Sequence, residues 1–204
     1  LFEIVSGFTT TGASVLARPE DLPKGILYWR SFSHWLGGMG VLVFLLAIGS
    51  GSKEKGFTMH LLRAESPGPN VGKLVPKMRK TAAILYLLYI ALTVLNIVFL
   101  LIGKMPLFEA VCTAFGTAGT GGFGFRNDSF ASFTALQQVL VTLFMLLFSI
   151  NFNSYYLILR LKFKDAFNSE VKAFLAIVAI AIAIITLNIY TDFDSVGEAL
   201  RHAA

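Results

Sequence analysis

Two short runs of glycine and threonine carry the clearest chemical signal in this chain. Residues 9–13 read TTTGA, and residues 119–123 read GTGGF. Glycine allows backbone angles that a Cβ would forbid, so such a run can turn its carbonyl oxygens toward one axis. Rings of carbonyl oxygens replace the hydration shell of a monovalent cation, whereas a divalent cation prefers carboxylates, which neither run contains. The two runs therefore indicate a backbone that binds a monovalent cation.

Each run lies between elements that suit a re-entrant loop. A short apolar stretch precedes it, LFEIVSGF at residues 1–8 and LFEAVCTAFGTA at residues 107–118, and a polar stretch and a long apolar run follow it. Non-helical backbone at membrane depth is tolerated only where protein buries it or where it lines a water-filled path. The same order of elements returns after about 110 residues, which indicates an internal repeat. The alternative is that both runs are ordinary turns outside the membrane. That alternative would explain a single run well, but it explains two runs with the same flanking elements less well.

The composition favours a membrane protein over a soluble one. Hydrophobic residues make up 55% of the 204 residues and charged residues 14%, whereas a soluble domain has about 45–50% and about 25%. The net charge of +5 does not indicate nucleic-acid binding, because the basic residues lie between apolar runs rather than on one exposed face. Cys112 is the single cysteine, so neither an intrachain disulfide nor a cysteine-based zinc site is possible.

The apolar runs contain no recognisable catalytic pattern. A Ser-His-Asp set, an HExxH motif or paired carboxylates within one span would indicate an enzyme, and the sequence has none of them. His34, Asn96 and Asn151 are polar groups within apolar runs, which makes them functional candidates by default, but hydrogen bonding between helices explains each equally well. We therefore predict that the chain is not an enzyme and holds no organic cofactor.

Four apolar segments are long enough to cross a bilayer, which takes about 20 helical residues. They cover residues 31–49, 81–102, 136–159 and 171–189. The small residues of the GGMG sequence inside the first segment would let neighbouring helices approach closely. The prediction is an all-α membrane protein of multi-pass topology.

Basic residues set the orientation of these segments. Eleven of the seventeen Lys and Arg residues lie at residues 50–80 and 160–172, and these loops share one side of the membrane if the spans alternate. Positively charged loops stay in the cytoplasm. The two basic loops are therefore predicted to be cytoplasmic, and Asp128 and Asp192 to face the opposite side.

Several motifs together resemble one family. SGFTTTGASVL, followed by WRSFSHWLGGMGVLVF, resembles the first pore loop and following helix of the TrkH/KtrB family of bacterial potassium transporters. RAESPGP, KMRKTA and TAGTGGFGFRNDS resemble that family's link into its second repeat and its second pore loop. In that family one chain carries four helix–pore loop–helix repeats around one pore, in the manner of a potassium channel. The resemblance runs nearly end to end and implies that this chain is a fragment of such a four-repeat pore.

The resemblance divides the chain into four parts. Residues 1–49 would be the end of the first repeat, with its pore loop and inner helix, and residues 50–80 a cytoplasmic basic linker. Residues 81–165 would be the second repeat, with outer helix, pore loop and inner helix. Residues 166–204 would be the outer helix of the third repeat and the start of its pore helix. An N-terminus without Met and a C-terminus without a terminating signal lead us to expect that both ends are internal points of a longer protein.

Aligning TTTGA with GTGGF assigns the ion-selectivity filter that the resemblance implies. The filter glycines then fall on Gly12 and Gly122. The carbonyl groups expected to face the potassium ion belong to Thr10, Thr11, Thr120 and Gly121, with Thr9, Ala13, Gly119 and Phe123 as neighbours.

A second register is open as well. Pairing FTTTG with FGTAG moves the second site to Thr117, Ala118 and Gly119. The first register is preferred because Gly122 precedes Phe123, a usual feature of that loop in the family. Gly119, at a position where the family often has a small apolar residue, keeps the second register open.

The resemblance also implies a function, which is potassium uptake across the bacterial inner, or cytoplasmic, membrane. The partners that it implies are the lipid bilayer, a second copy in a homodimer and a cytoplasmic nucleotide-binding regulatory subunit, and nucleic acid is not among them. The alternatives are a non-conducting structural membrane subunit and a sodium-coupled or less selective monovalent cation transporter. The sequence leaves open whether transport is channel-like or coupled to sodium or protons.

Overall fold

The computed structural model describes residues 1–40, 78–122, 124, 126–193 and 195–203. Regular structure within these residues is helical. The α-helices are α1 (Phe2–Phe8), α2 (Lys24–Gly38), α3 (Met78–Ile102), α4 (Leu107–Ala118), α5 (Ala135–Ser149), α6 (Phe152–Leu159), α7 (Phe163–Ala166), α8 (Ser169–Ile189) and α9 (Val196–Ala203). Single turns of 3-10 helix cover Pro19–Asp21 and Tyr190–Asp192.

Two of the described helices are long and apolar enough to cross a membrane. They are α3, over Ala82–Ile102, and α8, whose span extends over Ser169–Asp192, and they coincide with the second and fourth predicted spans. With 12 residues, α4 is apolar but too short to cross, as predicted for the helix before the second glycine-rich loop. The chain is therefore an all-α membrane protein.

The first predicted span begins earlier than expected. Helix α2 starts at Lys24 rather than near residue 31, directly after Pro23. Proline has no backbone N–H to leave unpaired at a helix start, and its fixed φ suits that position. Helix α2 ends at Gly38. Residues 41–77, which hold the rest of that predicted span and most of the predicted linker, lie outside the described residues.

The third predicted span, at residues 136–159, is a bent pair of helices rather than one straight helix. Helices α5 and α6 meet at an angle of 85°. Ile150 between them has extended backbone angles, φ −73° and ψ 137°. The side chain of Asn151 accepts a hydrogen bond from the Asn153 N–H at 3.0 Å. Asparagine is favoured at helix starts because its side-chain oxygen satisfies a free backbone donor, so Asn151 begins a new helix here.

Both short helices, α1 and α4, pack against α2. Helix α4 also packs against α3 and α5. These elements and their connections share a buried apolar cluster of Leu100, Met105, Ala110, Ala114, Phe133 and Val141. Phe32 and Trp35 of α2 contact the ring of Phe115 in α4 at centroid distances of 5.7 and 5.6 Å, a range in which aromatic pairs are stabilising. Helix α2 is thus the element that positions the ends of both short helices.

Candidate functional site

The two short helices end in the same backbone conformation. Thr9, the residue after α1, has φ −83° and ψ 0°, and Gly119, the residue after α4, has φ −73° and ψ −4°. The next residues, Thr10 and Thr120, have φ values of 55° and 56°. The N–H of each donates to the carbonyl three residues earlier, at 2.9 Å in both helices. The two loops therefore leave their helices along matching paths.

A second left-handed residue follows two positions later in each loop. Gly12 has a φ of 72° and Gly122 a φ of 64°, and the residue between the two left-handed positions has a negative φ in both loops. The two loops therefore share the same order of left-handed and other conformations.

The threonines at the first left-handed positions are strained. A β-branched residue with positive φ is an outlier, and each costs about 1–2 kcal/mol. Thr10 and Thr120 both have this conformation. Neighbouring parts of the fold must therefore hold each loop in place.

The two loops lie against each other. A Cβ built on Gly12 would collide with the carbonyl oxygen of Gly121. A Cβ built on Gly121 would lie 2.8 Å from the carbonyl oxygen of Thr10, closer than real Cβ atoms come. Both positions therefore need glycine for space, and Gly12 needs it for its φ as well. The fold brings together residues that the sequence separates by about 110 positions.

Side chains of the first loop bond to the end of their own helix. The Thr9 hydroxyl donates to the carbonyl of Val5 at 2.8 Å and lies 2.9 Å from the Thr11 hydroxyl. The Ser6 hydroxyl donates to the carbonyl of Ala13 at 2.6 Å. These contacts tie both ends of the loop to α1.

The residues of the second register lie in and directly after the last turn of α4. Thr117 and Ala118 are helical, and Gly119 caps the helix. The carbonyl of Thr117 accepts the N–H of Thr120 at 2.9 Å. Phe123, a predicted neighbour of the filter, lies outside the described residues.

One side chain of α2, that of His34, fills the space behind both loops. It is fully buried. A Cβ on Gly119 or on Gly121 would collide with its ring, and its ring lies near the backbone of Thr10. The sequence marks His34 only as a polar group within a span, because its contact with both loops depends on the way α2 packs between the two short helices.

Two successive glycines near the end of α2 each contact the end of one short helix. A Cβ on Gly37 would collide with the carbonyl group of Phe8, the last residue of α1. A Cβ on Gly38 would lie 2.8 Å from the Cα of Gly119 and 2.9 Å from the carbonyl oxygen of Ala118, the last residue of α4. The predicted role of this glycine-rich sequence in close helix packing agrees with these contacts.

A glutamate in the first turn of each short helix pairs with an arginine. The carboxylate of Glu3 in α1 binds Nε of Arg30 at 2.6 Å. The carboxylate of Glu109 in α4 binds Nη2 of Arg126 at 2.9 Å. Sequence reasoning missed both pairs, although the repeated LFE sequence is a signal, because it places one acidic residue in an otherwise apolar stretch of each repeat.

The fold and the loops define a helical membrane protein built from helix–pore loop–helix units. The family model of TrkH, described as "Cation transport protein", matches residues 1–193. The chain belongs to the TrkH family. The predicted family and fold class are confirmed, and the family is one of transporters rather than enzymes.

Curated relatives and a solved structure agree with this assignment. The Trk system potassium uptake protein TrkG of Escherichia coli (strain K12) is 34% identical over 193 residues, which are 91% of this chain and 39% of that protein. The Trk system potassium uptake protein TrkH of Halomonas elongata is 34% identical over 209 residues, which cover 100% of this chain and 43% of that protein. The crystal structure of the potassium transporter TrkH from Vibrio parahaemolyticus superposes with a TM-score of 0.80 at 27% identity, covering 99% of this chain and 41% of that one. The chain thus spans about two fifths of the length of the relatives it matches.

Proposed function

We propose that this chain supplies two ion-coordinating loops of a potassium uptake protein in the bacterial cytoplasmic membrane. One observation carries the proposal: two loops with the same alternation of backbone angles meet at Thr10, Gly12 and Gly121. The proposed filter consists of Thr10, Thr11, Gly12, Thr120, Gly121 and Gly122, with Thr9, Ala13, Gly119 and Phe123 beside it. Potassium is the substrate in this proposal, as it is in the names of the relatives.

The backbone angles support the preferred register of the second loop. In that register Thr10 pairs with Thr120 and Gly12 with Gly122, and all four have positive φ. In the other register Gly12 pairs with Gly119, whose φ is −73°. The carbonyl of Thr117 is moreover engaged by the N–H of Thr120, so it is less available to an ion.

The described side chains support carbonyl oxygens rather than hydroxyls as the ligands. The hydroxyls of Thr9 and Thr11 lie 2.9 Å from each other, and Gly121, at the position that matches Thr11, has no side chain. Potassium is held by rings of neutral carbonyl oxygens in known selectivity filters. Every residue supplies one carbonyl, so the two loops can offer equivalent ligands despite their different sequences.

The whole protein is expected to need parts beyond this chain. A complete pore would combine these loops with those of two further repeats, and the division at residues 1–49, 50–80, 81–165 and 166–204 describes this chain's share. A homodimer in the lipid bilayer and a cytoplasmic nucleotide-binding subunit complete the proposal, and both rest on the family resemblance.

The test is ion uptake by the full-length protein in proteoliposomes, measured for potassium and for sodium. Gly122→Ala should lower the preference for potassium about tenfold, because φ of 64° disfavours a residue with a Cβ by about 1–2 kcal/mol. Gly25→Ala is the matched control, since no atom of the described residues beyond its own stretch of helix lies within 4 Å of its added Cβ. A full-length protein that takes up neither ion, or an unchanged preference in Gly122→Ala, would contradict the proposal.

A further inference from the structure

Arg30 lies at a junction between the two repeats. Its side chain, on α2, is only 3% exposed. Its Nε donates to the carboxylate of Glu3 at 2.6 Å, and its Nη1 donates to the carbonyl oxygen of Gly124 at 2.8 Å. Glu3 belongs to the first short helix, whereas Gly124 follows the second loop. One guanidinium therefore connects the two loops of the proposed filter through their flanking residues.

Glu3 extends this connection to the far end of the first loop. Its carboxylate accepts a hydrogen bond from the N–H of Val15 at 2.8 Å. It also accepts one from the hydroxyl of Ser14, at 3.1 and 3.2 Å from its two oxygens. The chain leaving the first loop and the chain leaving the second are thus both held by the pair of Glu3 and Arg30.

The chemistry of this pair suits a positioning role. A buried charge is costly unless it is paired and hydrogen-bonded, and Arg30 has both kinds of partner. The guanidinium is a planar fork that donates in several fixed directions, whereas the lysine ammonium is a point charge on a flexible stem. The strained residues Thr10 and Thr120 persist only where surrounding contacts determine their conformation. Contacts that fix the far ends of the two loops are of that kind.

We propose that Arg30 is a positioning residue for ion selectivity, holding the second loop in register with the first through Glu3 and Gly124. The inference rests on the proposed function, because it concerns the same two loops. According to this inference, discrimination between potassium and sodium also depends on a residue that lies outside the two loops.

The second repeat offers a matched control. Arg126 donates from Nη2 to Glu109 and from Nη1 to the hydroxyl of Ser132, both at 2.9 Å. These partners belong to the second repeat, and the side chains of Arg126 and Glu109 are 34% and 22% exposed. A partly exposed ion pair contributes less than a buried one, and this one joins residues of a single repeat, so its loss should leave the relation between the two loops unchanged.

The experiment compares Arg30→Lys, Glu3→Gln and Arg126→Gln in the full-length protein, with uptake corrected for the amount of protein in the membrane. In Arg30→Lys the preference for potassium over sodium should fall about tenfold, the size expected when a charge-assisted hydrogen bond is lost. Glu3→Gln should lower it in the same direction. Arg126→Gln should change it less than about twofold.

The proposal is overturned if the ion preference does not depend on the pair of Arg30 and Glu3. A fall in maximal uptake with an unchanged ion preference in Arg30→Lys would indicate a purely structural role. If Arg30→Lys does not accumulate, Glu3→Gln takes its place, because it keeps the shape of the side chain, and an unchanged preference there is equally decisive. A loss of preference in Gly122→Ala without one in either variant would refute the role of Arg30 and leave the proposed function standing.

Discussion

The first and second glycine-rich loops share a backbone but differ in what holds them. Left-handed residues occur at Thr10 and Gly12 in the first and at the matching positions in the second. The first loop is braced by a buried ion pair to α2, of which Arg30 is 3% exposed. The corresponding arginine of the second repeat, Arg126, lies in the loop region itself and is 34% exposed.

The spacing between glutamate and filter glycine differs as well. Glu3 precedes Gly12 by nine positions, whereas Glu109 precedes Gly122 by thirteen, which adds about one turn of helix. The two loops thus share a backbone conformation, while the ion pairs that support it are specific to each repeat. The two loops should therefore respond differently to equivalent substitutions.

The largest difference is expected between Gly12→Ala and Gly122→Ala. At Gly12 the added Cβ meets both a φ of 72° and the carbonyl of Gly121. At Gly122 the φ is 64°, but among the described residues the atom nearest to an added Cβ is the Cε of Met145, at 3.8 Å. We expect potassium uptake by the full-length protein to fall about 100-fold for Gly12→Ala, since strain and overpacking add, against about tenfold for Gly122→Ala.

The measurement is initial uptake rate at equal membrane expression, with Gly25→Ala as the control for an added methyl group. Equal losses in the two filter variants would show that contact between the loops adds nothing to the backbone requirement. The first loop would then not be the more tightly constrained of the two.

His34 should affect both loops together. His34→Ala removes a fully buried ring that contacts Gly119 and Gly121 and lies near the backbone of Thr10. Loss of a buried ring of this size costs about 3 kcal/mol, and the melting temperature of the detergent-solubilised full-length protein should fall accordingly. His202→Ala, at an exposed position, is the control. A melting temperature that His34→Ala leaves unchanged would contradict the packing described here.

Gly37→Ala and Gly38→Ala should each affect a different repeat. Each added Cβ meets backbone of one short helix, α1 for Gly37 and α4 for Gly38, at a cost of about 2 kcal/mol. Cys112 of α4 is buried and can report on the second repeat. In a full-length protein without other cysteines, Gly38→Ala should increase the rate at which a thiol reagent modifies Cys112, and Gly37→Ala should do so less. The reverse order would assign these glycines to the wrong helices.

Much of this arrangement could be predicted from local sequence. The short helices and the alignment of TTTGA with GTGGF depend on residue types within a few positions of each other. The bend at Asn151 could not be predicted as readily, because the apolar run is long enough for one continuous span and only a single capping residue marks the bend. The role of Arg30 could not be predicted from the sequence for another reason. Its partners Glu3 and Gly124 are remote in sequence and meet only when α2 packs between the two repeats.

The smallest effect is expected at Thr11, one of the positions at which the two loops differ in sequence. Thr11 matches Gly121, and its hydroxyl contacts that of Thr9 at 2.9 Å. If the ion is held by carbonyl oxygens, the hydroxyl of Thr11 is a brace within the first loop rather than a ligand. Loss of a neutral, exposed hydrogen bond of this kind costs about 0.5–1.5 kcal/mol.

Thr11→Val and Thr11→Ser distinguish the two possibilities in the full-length protein. Valine keeps the branched shape and removes the oxygen, whereas serine keeps the oxygen and removes the branch. With carbonyl ligands, both variants should retain selective uptake, with a half-saturating potassium concentration within about threefold of the parent protein, a shift of less than 1 kcal/mol. With hydroxyl ligands, valine would abolish uptake and serine would not. That second outcome would require the two loops to bind the ion by different chemistry, because Gly121 has no hydroxyl to offer, and the two repeats would then not be equivalent at this position.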